Sequence, residues 1–176
     1  TGVLFRAQAT IEGSDENAGE NCFYGYEGQY FATLQALATE FPSVFGSEEV
    51  TDVAAALAAA YNGTAAEGAP IQTVADFREA YNVRVFEDGI MYYTHYIMDQ
   101  NYTAANAKGT QVNYHSVMRN TIYGLTVTSV IGIGDDVPGG WNPDVEPEEP
   151  VVPPTYLRVR CMVNPWVLSN YDVTLQ

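Results

Sequence analysis

The sequence predicts a mainly β chain with a helical insertion, an α+β class. Apolar and polar residues alternate with a period of two near the start and again from residue 83 onward, the pattern of strands with one buried face. Between residues 29 and 81 the apolar residues instead recur at helical spacing. Six of the nine prolines fall in 135–154, a stretch that cannot lie inside a sheet and so reads as an exposed loop between strands.

Each element follows from its own pattern. Val3, Phe5, Ala7, Ala9 and Ile11 alternate with Leu4, Arg6, Gln8 and Thr10, giving a first strand. Glu12 to Gly28 holds four Gly, two Asn and five acids, an exposed loop by composition. Tyr30, Phe31, Leu34, Leu37, Ala38 and Phe41 then form a helical stripe that Pro42 stops. A second helix is expected to be capped by Ser47, with Glu48 and Glu49 at its positive end and a stripe of Val50, Val53, Ala54, Leu57, Ala58 and Tyr61 ending at Asn62-Gly63. A third, short helix starts at Thr73, with Asp76 placed for a capping box, and runs to Tyr81.

From Val83 the residues turn β-branched and aromatic. Val83–Phe86 and Ile90–Ile97 flank Glu87-Asp88-Gly89, which predicts a hairpin. Asp99 to Thr110 reads as a polar loop. Val117 to Ile133 is a long strand with Thr121, Tyr123, Leu125, Val127, Ser129, Ile131 and Ile133 in phase, and its length predicts a bend or bulge near Asn120 or Gly124. Two closely spaced strands end the chain: Tyr156 to Asn164, with Leu157, Val159, Cys161 and Val163 in phase, and Val167 to Leu175, with Val167, Ser169, Tyr171, Val173 and Leu175 in phase. Asn164-Pro165-Trp166 separates them.

Charge narrows the function. With 22 Asp+Glu against 7 Lys+Arg the formal net charge is −15, so a phosphate backbone is repelled and nucleic acid is excluded as a partner. His95 and His115 are the only histidines and no paired Cys-x-x-Cys exists, so neither a metal nor a cofactor is expected. Asp135/Asp136 and Glu146/Glu148/Glu149 are carboxylate clusters that would suit Ca²⁺, against a plain reading as solvated surface. His115-Ser116 on a strand point to opposite faces, and Gly132-Ile133-Gly134-Asp135 is better read as a turn than as a dinucleotide loop. Cys22 and Cys161 are an even pair for which a disulfide worth about 4–5 kcal/mol is permitted, a buried thiol being the other reading.

Two stretches together resemble a known family. Val117-Met118-Arg119-Asn120-Thr121-Ile122-Tyr123-Gly124-Leu125, running on to Gly134-Asp135-Asp136-Val137-Pro138, resembles the central motif of the C-terminal domain of Bacteroidales fimbrillins. Tyr156-Leu157-Arg158-Val159-Arg160-Cys161-Met162-Val163-Asn164-Pro165-Trp166, with the strand ending Asp172-Val173-Thr174-Leu175-Gln176, resembles their C-terminus, and Cys161 departs from the family pattern.

The resemblance implies a shaft subunit of type V pili, a structural protein and not an enzyme. It implies a transthyretin-like Greek-key β-sandwich of about seven strands, with two or three helices inserted near 29–81. Residues 1–166 would be the C-terminal fimbrillin domain and 167–176 the donor segment, the chain being too short for the family's two domains. Its partners would be other fimbrial subunits, with adhesion to host or bacterial surfaces. Its place would be the fimbrium on the cell outer membrane, after export as a lipoprotein precursor. The tail agrees from its own residues, because Val167, Ser169, Tyr171, Val173 and Leu175 supply the uncharged alternation that β-strand addition needs, although an ordinary last strand of the domain would show it too. One alternative is a surface-anchored glycan- or protein-binding module with Tyr92, Tyr93, Tyr96 and Trp141 as an aromatic platform. Another is a secreted hydrolase using loop carboxylates such as Asp135 and Glu148.

Overall fold

Seven strands and three helices form in chain order among the described residues of the computed structural model, which are 2–97, 121–138 and 157–165. The strands are β1 (Gly2–Gln8), β2 (Phe23–Tyr26), β3 (Gln29–Phe31), β4 (Arg84–Phe86), β5 (Ile90–Tyr96), β6 (Thr121–Val130) and β7 (Leu157–Pro165). Between β3 and β4 come α1 (Leu34–Glu40), α2 (Val50–Tyr61) and α3 (Val74–Tyr81), so the helical insertion lies within 29–81 as expected. The strands fall into three small sheets of order β1-β5, β3-β2-β4 and β6-β7. This is a mixed α/β arrangement, and the facing sheets of a Greek-key sandwich are not seen among the described residues. The chain divides into two compact units, Arg6–Tyr92 with Gly134–Asp144, and Thr1–Phe5 with Tyr93–Ile133 and Val145–Gln176.

The core of the first unit is helical on one side and aromatic on the other. Leu34 and Leu37 of α1, Val53, Leu57 and Ala60 of α2, and Val74 and Phe77 of α3 are buried together with Tyr24 and Val85 of the sheet. Each helix thus buries one stripe, the burial of a Leu or Phe side chain being worth about 1.5–3 kcal/mol. The α2 stripe is the predicted one, and Asn62-Gly63 ends it, with Gly63 in the left-handed region at a φ of +65°. Ser47 is not its cap. The N-cap is Glu49, which makes no side-chain capping bond. The α3 prediction holds: Thr73 Oγ1 accepts from the Asp76 N–H while the Asp76 carboxylate accepts from the Thr73 N–H.

Two segments change identity. Composition assigns 12–28 to an exposed loop, yet Cys22, Phe23, Tyr24 and Gly25 are buried and β2 is the middle strand of its sheet. Phe23 stacks on Phe86 of β4 with ring centroids 4.1 Å apart. Asp15 organises the approach. Its Oδ1 accepts from the Tyr24 hydroxyl at 2.7 Å and its Oδ2 from the Leu34 N–H at 2.8 Å, tying the loop to the first turn of α1. The second change is at Gln29–Phe31, which the helical stripe includes but which pairs with β2 as a strand, Tyr26 opposite Gln29. Glu27 and Gly28 both have positive φ, so a two-residue turn closes there, and Thr33 caps α1 only afterwards.

The predicted hairpin at Glu87-Asp88-Gly89 is also corrected. β4 pairs with β2 and β5 with β1, so the turn passes the chain from one sheet to another. Asp88 and Gly89 both take left-handed backbone, with φ of +53° and +69°. The Asp88 N–H donates to Ala18 O, and the Ala9 N–H donates to Gly89 O. The Tyr61 hydroxyl, whose pKa is pushed up by burial and by this bond, donates to the Asp88 carboxylate at 3.0 Å. A Cβ at Gly89 would collide with the Ala9 carbonyl oxygen.

In the second unit β6 and β7 form an antiparallel ribbon. Its irregularity lies between Val127 and Ser129, not at Asn120 or Gly124; Asn120 itself falls outside the described residues. Leu125 sits opposite Cys161 and Val127 opposite Val159, whereas Ser129 sits opposite Arg158, so the faces of β6 exchange at Thr128. The predicted single face from Thr121 to Ile133 is therefore split. Thr121, Tyr123 and Leu125 are half-buried, and Val127, Ser129 and Ile131 are exposed. In the same unit burial pushes the His95 imidazole below its ordinary pKa.

Two outcomes test these statements. Gly89→Ala combines a positive φ with a backbone collision and is expected to lower stability by more than the ~1 kcal/mol of an unconstrained glycine change, measured by urea denaturation. Thr73 and the Gln72 and Thr73 backbone hold the Asp76 carboxylate below its ordinary pKa of 3.8. Its contribution is accordingly present above pH 3.8 and lost as pH falls through the lower folded value, and in Asp76→Asn that part of the stability-pH curve flattens.

Candidate functional site

Two features stand out from the packing, one buried and one exposed. The buried one begins with Arg78, a charged residue on the same face of α3 as Val74 and Phe77, which is only 5% exposed. Its Nη2 donates to Val85 O at 2.6 Å and to Glu87 Oε1 at 2.8 Å. Its Nε lies 2.8 Å from Asp136 Oδ2, off the line of its own N–H, so that contact is an ion pair without a hydrogen bond. Asp136 Oδ2 accepts instead from the Val85 N–H at 3.2 Å, and Oδ1 from Arg84 Nε at 3.1 Å.

Arg84 completes the knot. Its Nη2 donates to Gly134 O at 2.8 Å and lies 3.4 Å from Asp135 Oδ1, while its guanidinium carbon stands 5.0 Å above the Phe86 ring. Asp135 and Tyr92 exchange both backbone hydrogen bonds at 2.8 Å. Burial raises the Asp135 pKa, with the neighbouring Asp136 adding to it and the Arg84 charge opposing it. Asp136, read from sequence as part of an exposed loop, has a fully buried side chain. Gly132-Ile133-Gly134-Asp135, expected to be a turn, is instead an irregular stretch that ends in the antiparallel bridge of Asp135 to Tyr92, and the Tyr93 hydroxyl donates to Gly132 O at 2.9 Å.

The exposed feature is the β6-β7 ribbon. Ile122, Val130 and Met162 are 56%, 58% and 57% exposed, and Ile131 just beyond β6 is 61% exposed, a density of open apolar side chains that scattered surface residues do not reach. Arg158 and Arg160 are exposed on β7, and the ribbon contains no acid although the chain has 22. Among the described residues β6 and β7 pair only with each other.

The other candidate residues divide as follows. Tyr93 is buried and its neighbours Tyr92 and Tyr96 are half-buried on the opposite parity of β5, so the three do not make one platform; Trp141 lies outside the described residues. No disulfide joins Cys22 and Cys161. Cys22 is a buried thiol whose pKa burial raises, 3.4 Å from Asp15 Oδ1, and Cys161 is half-buried on β7. Asp135 and Asp136 face arginines in place of a cation, and no group of metal-ligating side chains occurs among the described residues. Glu146, Glu148, Glu149, His115, the loop 99–110 and the alternating Val167, Ser169, Tyr171, Val173 and Leu175 all lie outside them. No described helix is long and apolar enough to cross a membrane.

Sequence reading missed the Arg78–Asp136–Arg84 knot. The one available signal was a lone Arg on the apolar side of a short helix, in a chain with 7 basic residues. Removing Asp136 leaves two guanidiniums without their shared buried partner, so Asp136→Ala is expected to cost about 3–5 kcal/mol by chemical denaturation. Glu87→Ala, at a partner 38% exposed, should cost under about 1 kcal/mol.

A family model described as "Major fimbrial subunit protein type IV, Fimbrillin, C-terminal" matches residues 84–172, a span from β4 past the end of β7. No curated protein matches the chain.

Proposed function

The chain belongs to the fimbrillin C-terminal family, and from that premise we propose that it polymerises into a fimbria by adding its C-terminal segment as a strand to a neighbouring subunit. The family assignment makes it a fimbrial subunit, a structural protein that assembles with other fimbrial subunits in an extracellular fimbria. The match over residues 84–172 carries this reading, since it runs through both ribbon strands and into the alternating segment that begins at Val167.

The chemistry of the segment supports it. Strand addition derives affinity from backbone hydrogen bonds to an open sheet edge and selectivity from alternate side chains entering pockets. Val167, Ser169, Tyr171, Val173 and Leu175 are the uncharged alternate set, so their burial in a partner leaves no unpaired charge. The ribbon offers a second kind of contact, with exposed Ile122 and Met162 beside Arg158 and Arg160. On a chain of net charge −15 that acid-free strip is where a like-charged neighbouring subunit meets least repulsion. Adhesion to surfaces, and export as a lipoprotein to the outer membrane, belong to the same proposal.

Deletion of Tyr171–Gln176 from the full-length protein tests it. The truncated protein should reach the cell surface and form no filaments by electron microscopy, and filaments of ordinary length would overturn the role of the segment.

A further inference from the structure

We propose that the pocket between the β2-β3 turn and the C-terminal end of α3 binds one neutral saccharide unit. The pocket has a volume of about 220 Å³ and is bounded by residues 25–30 and by Arg78 and 82–84. That is below the roughly 300–1,000 Å³ typical of sites for drug-sized ligands, so it accommodates a single ring. It lies wholly inside the unit built from Arg6–Tyr92.

Three observations give the ligand its chemistry. The first is an aromatic wall held in place from behind. Tyr30 is 43% exposed, yet its ring makes edge contacts with Phe23 at 6.2 Å and Phe86 at 6.0 Å between centroids. Tyr26 is similarly held against Phe41 at 4.9 Å. An exposed ring fixed by packing offers a flat apolar surface at little entropic cost, which suits the C–H face of a sugar ring.

The second is a set of polar side chains with no hydrogen-bond partner among the described residues. Glu27, Gln29 and Asn82, with the hydroxyls of Tyr26 and Tyr30, line the pocket and make no hydrogen bond to another described residue. They include acceptors and donors on both rims, the match for a ligand carrying several hydroxyls. Their backbone is set, since Glu27, Gly28 and Asn82 all hold positive φ at a two-residue turn and a helix end.

The third is the state of the charges. Arg78 and Arg84 line the pocket, but the charges of both are matched by Asp136, Asp135 and Glu87, so two guanidiniums face three carboxylates. Adding Glu27 at the mouth makes the surroundings unfavourable for an anion. A neutral polyhydroxylated ring satisfies all three conditions. The site is separate from the aromatic residues of β5 that the sequence offers as a platform, and it does not depend on how subunits polymerise.

The test uses the 176-residue chain and saturation-transfer NMR with the methyl glycosides of glucose, galactose, mannose and N-acetylglucosamine, and with sialic acid as the anionic comparison. At least one neutral glycoside is expected to receive saturation. Tyr30→Ala should then raise its Kd about tenfold or more, and Gln29→Ala, at an exposed edge position, several-fold with an unchanged melting temperature. No transfer to any neutral glycoside would overturn the proposal, as would binding that both variants leave intact or binding of sialic acid alone. Should Tyr30→Ala fail to fold, Gln29→Ala carries the same decision.

Discussion

The carboxylate of Asp136, buried between Arg78 and Arg84, is the constraint on which the Arg6–Tyr92 unit with its Gly134–Asp144 segment depends. A buried ion costs several kcal/mol in lost hydration, and this one is retained because its oxygens meet two guanidiniums and the Val85 N–H. Through those contacts one side chain ties together α3, strand β4 and the Gly134–Asp136 segment. The last of these lies far along the chain from the other two, Arg84 and Asp136 being separated by 52 residues. Hydrophobic burial alone would leave the register of such short pieces open, since β4 has three residues. Directional charged contacts remove that freedom.

Around the knot, a small number of polar groups do the work that long strands do elsewhere. Asp15 joins β2 to the start of α1, and Asp88 joins β5's entry to α2 through Tyr61 and to Ala18 through its backbone. Left-handed residues at Glu27, Gly28, Asn82, Asp88 and Gly89 turn the chain within two or three residues. The aromatic rings of Phe23, Phe86 and Tyr30 fill the space between these turns. That combination of fixed turns and fixed rings also produces a concave, partly apolar surface with unoccupied polar groups at its rim.

The ribbon has the opposite character. Its strands are the longest described, they carry open apolar residues, and they lack acids in an acidic chain. Exposed apolar strands of this kind favour pairing with another chain. In a fimbrial subunit such exposed apolar strands suit the subunit contacts proposed above. The bulge between Val127 and Ser129 limits such pairing by exchanging the faces of β6, so that one flat apolar strip does not run its full length.

Much of this was legible in the residues themselves. The parity of β1, the stripe of α2, the capping box of α3 and the phase of β7 were all readable, because each depends on neighbours within a few positions. The Val117–Pro138 and Tyr156–Gln176 motifs likewise sufficed to suggest the family that the match at 84–172 then established. What the sequence could not determine is what each short segment pairs with. Phe23–Tyr26 has four residues, too few for a period to emerge from its Gly- and acid-rich surroundings, and only β3 and β4 on either side make it a central strand. Glu87-Asp88-Gly89 has the composition of a hairpin turn, and only the hydrogen bonds to Ala18 and Ala9 send its two flanking strands to different sheets. The burial of Asp136 was decided in the same way. A carboxylate in a run of acids is solvated by default, and it becomes a core residue only when the tertiary structure delivers two arginines from elsewhere in the chain.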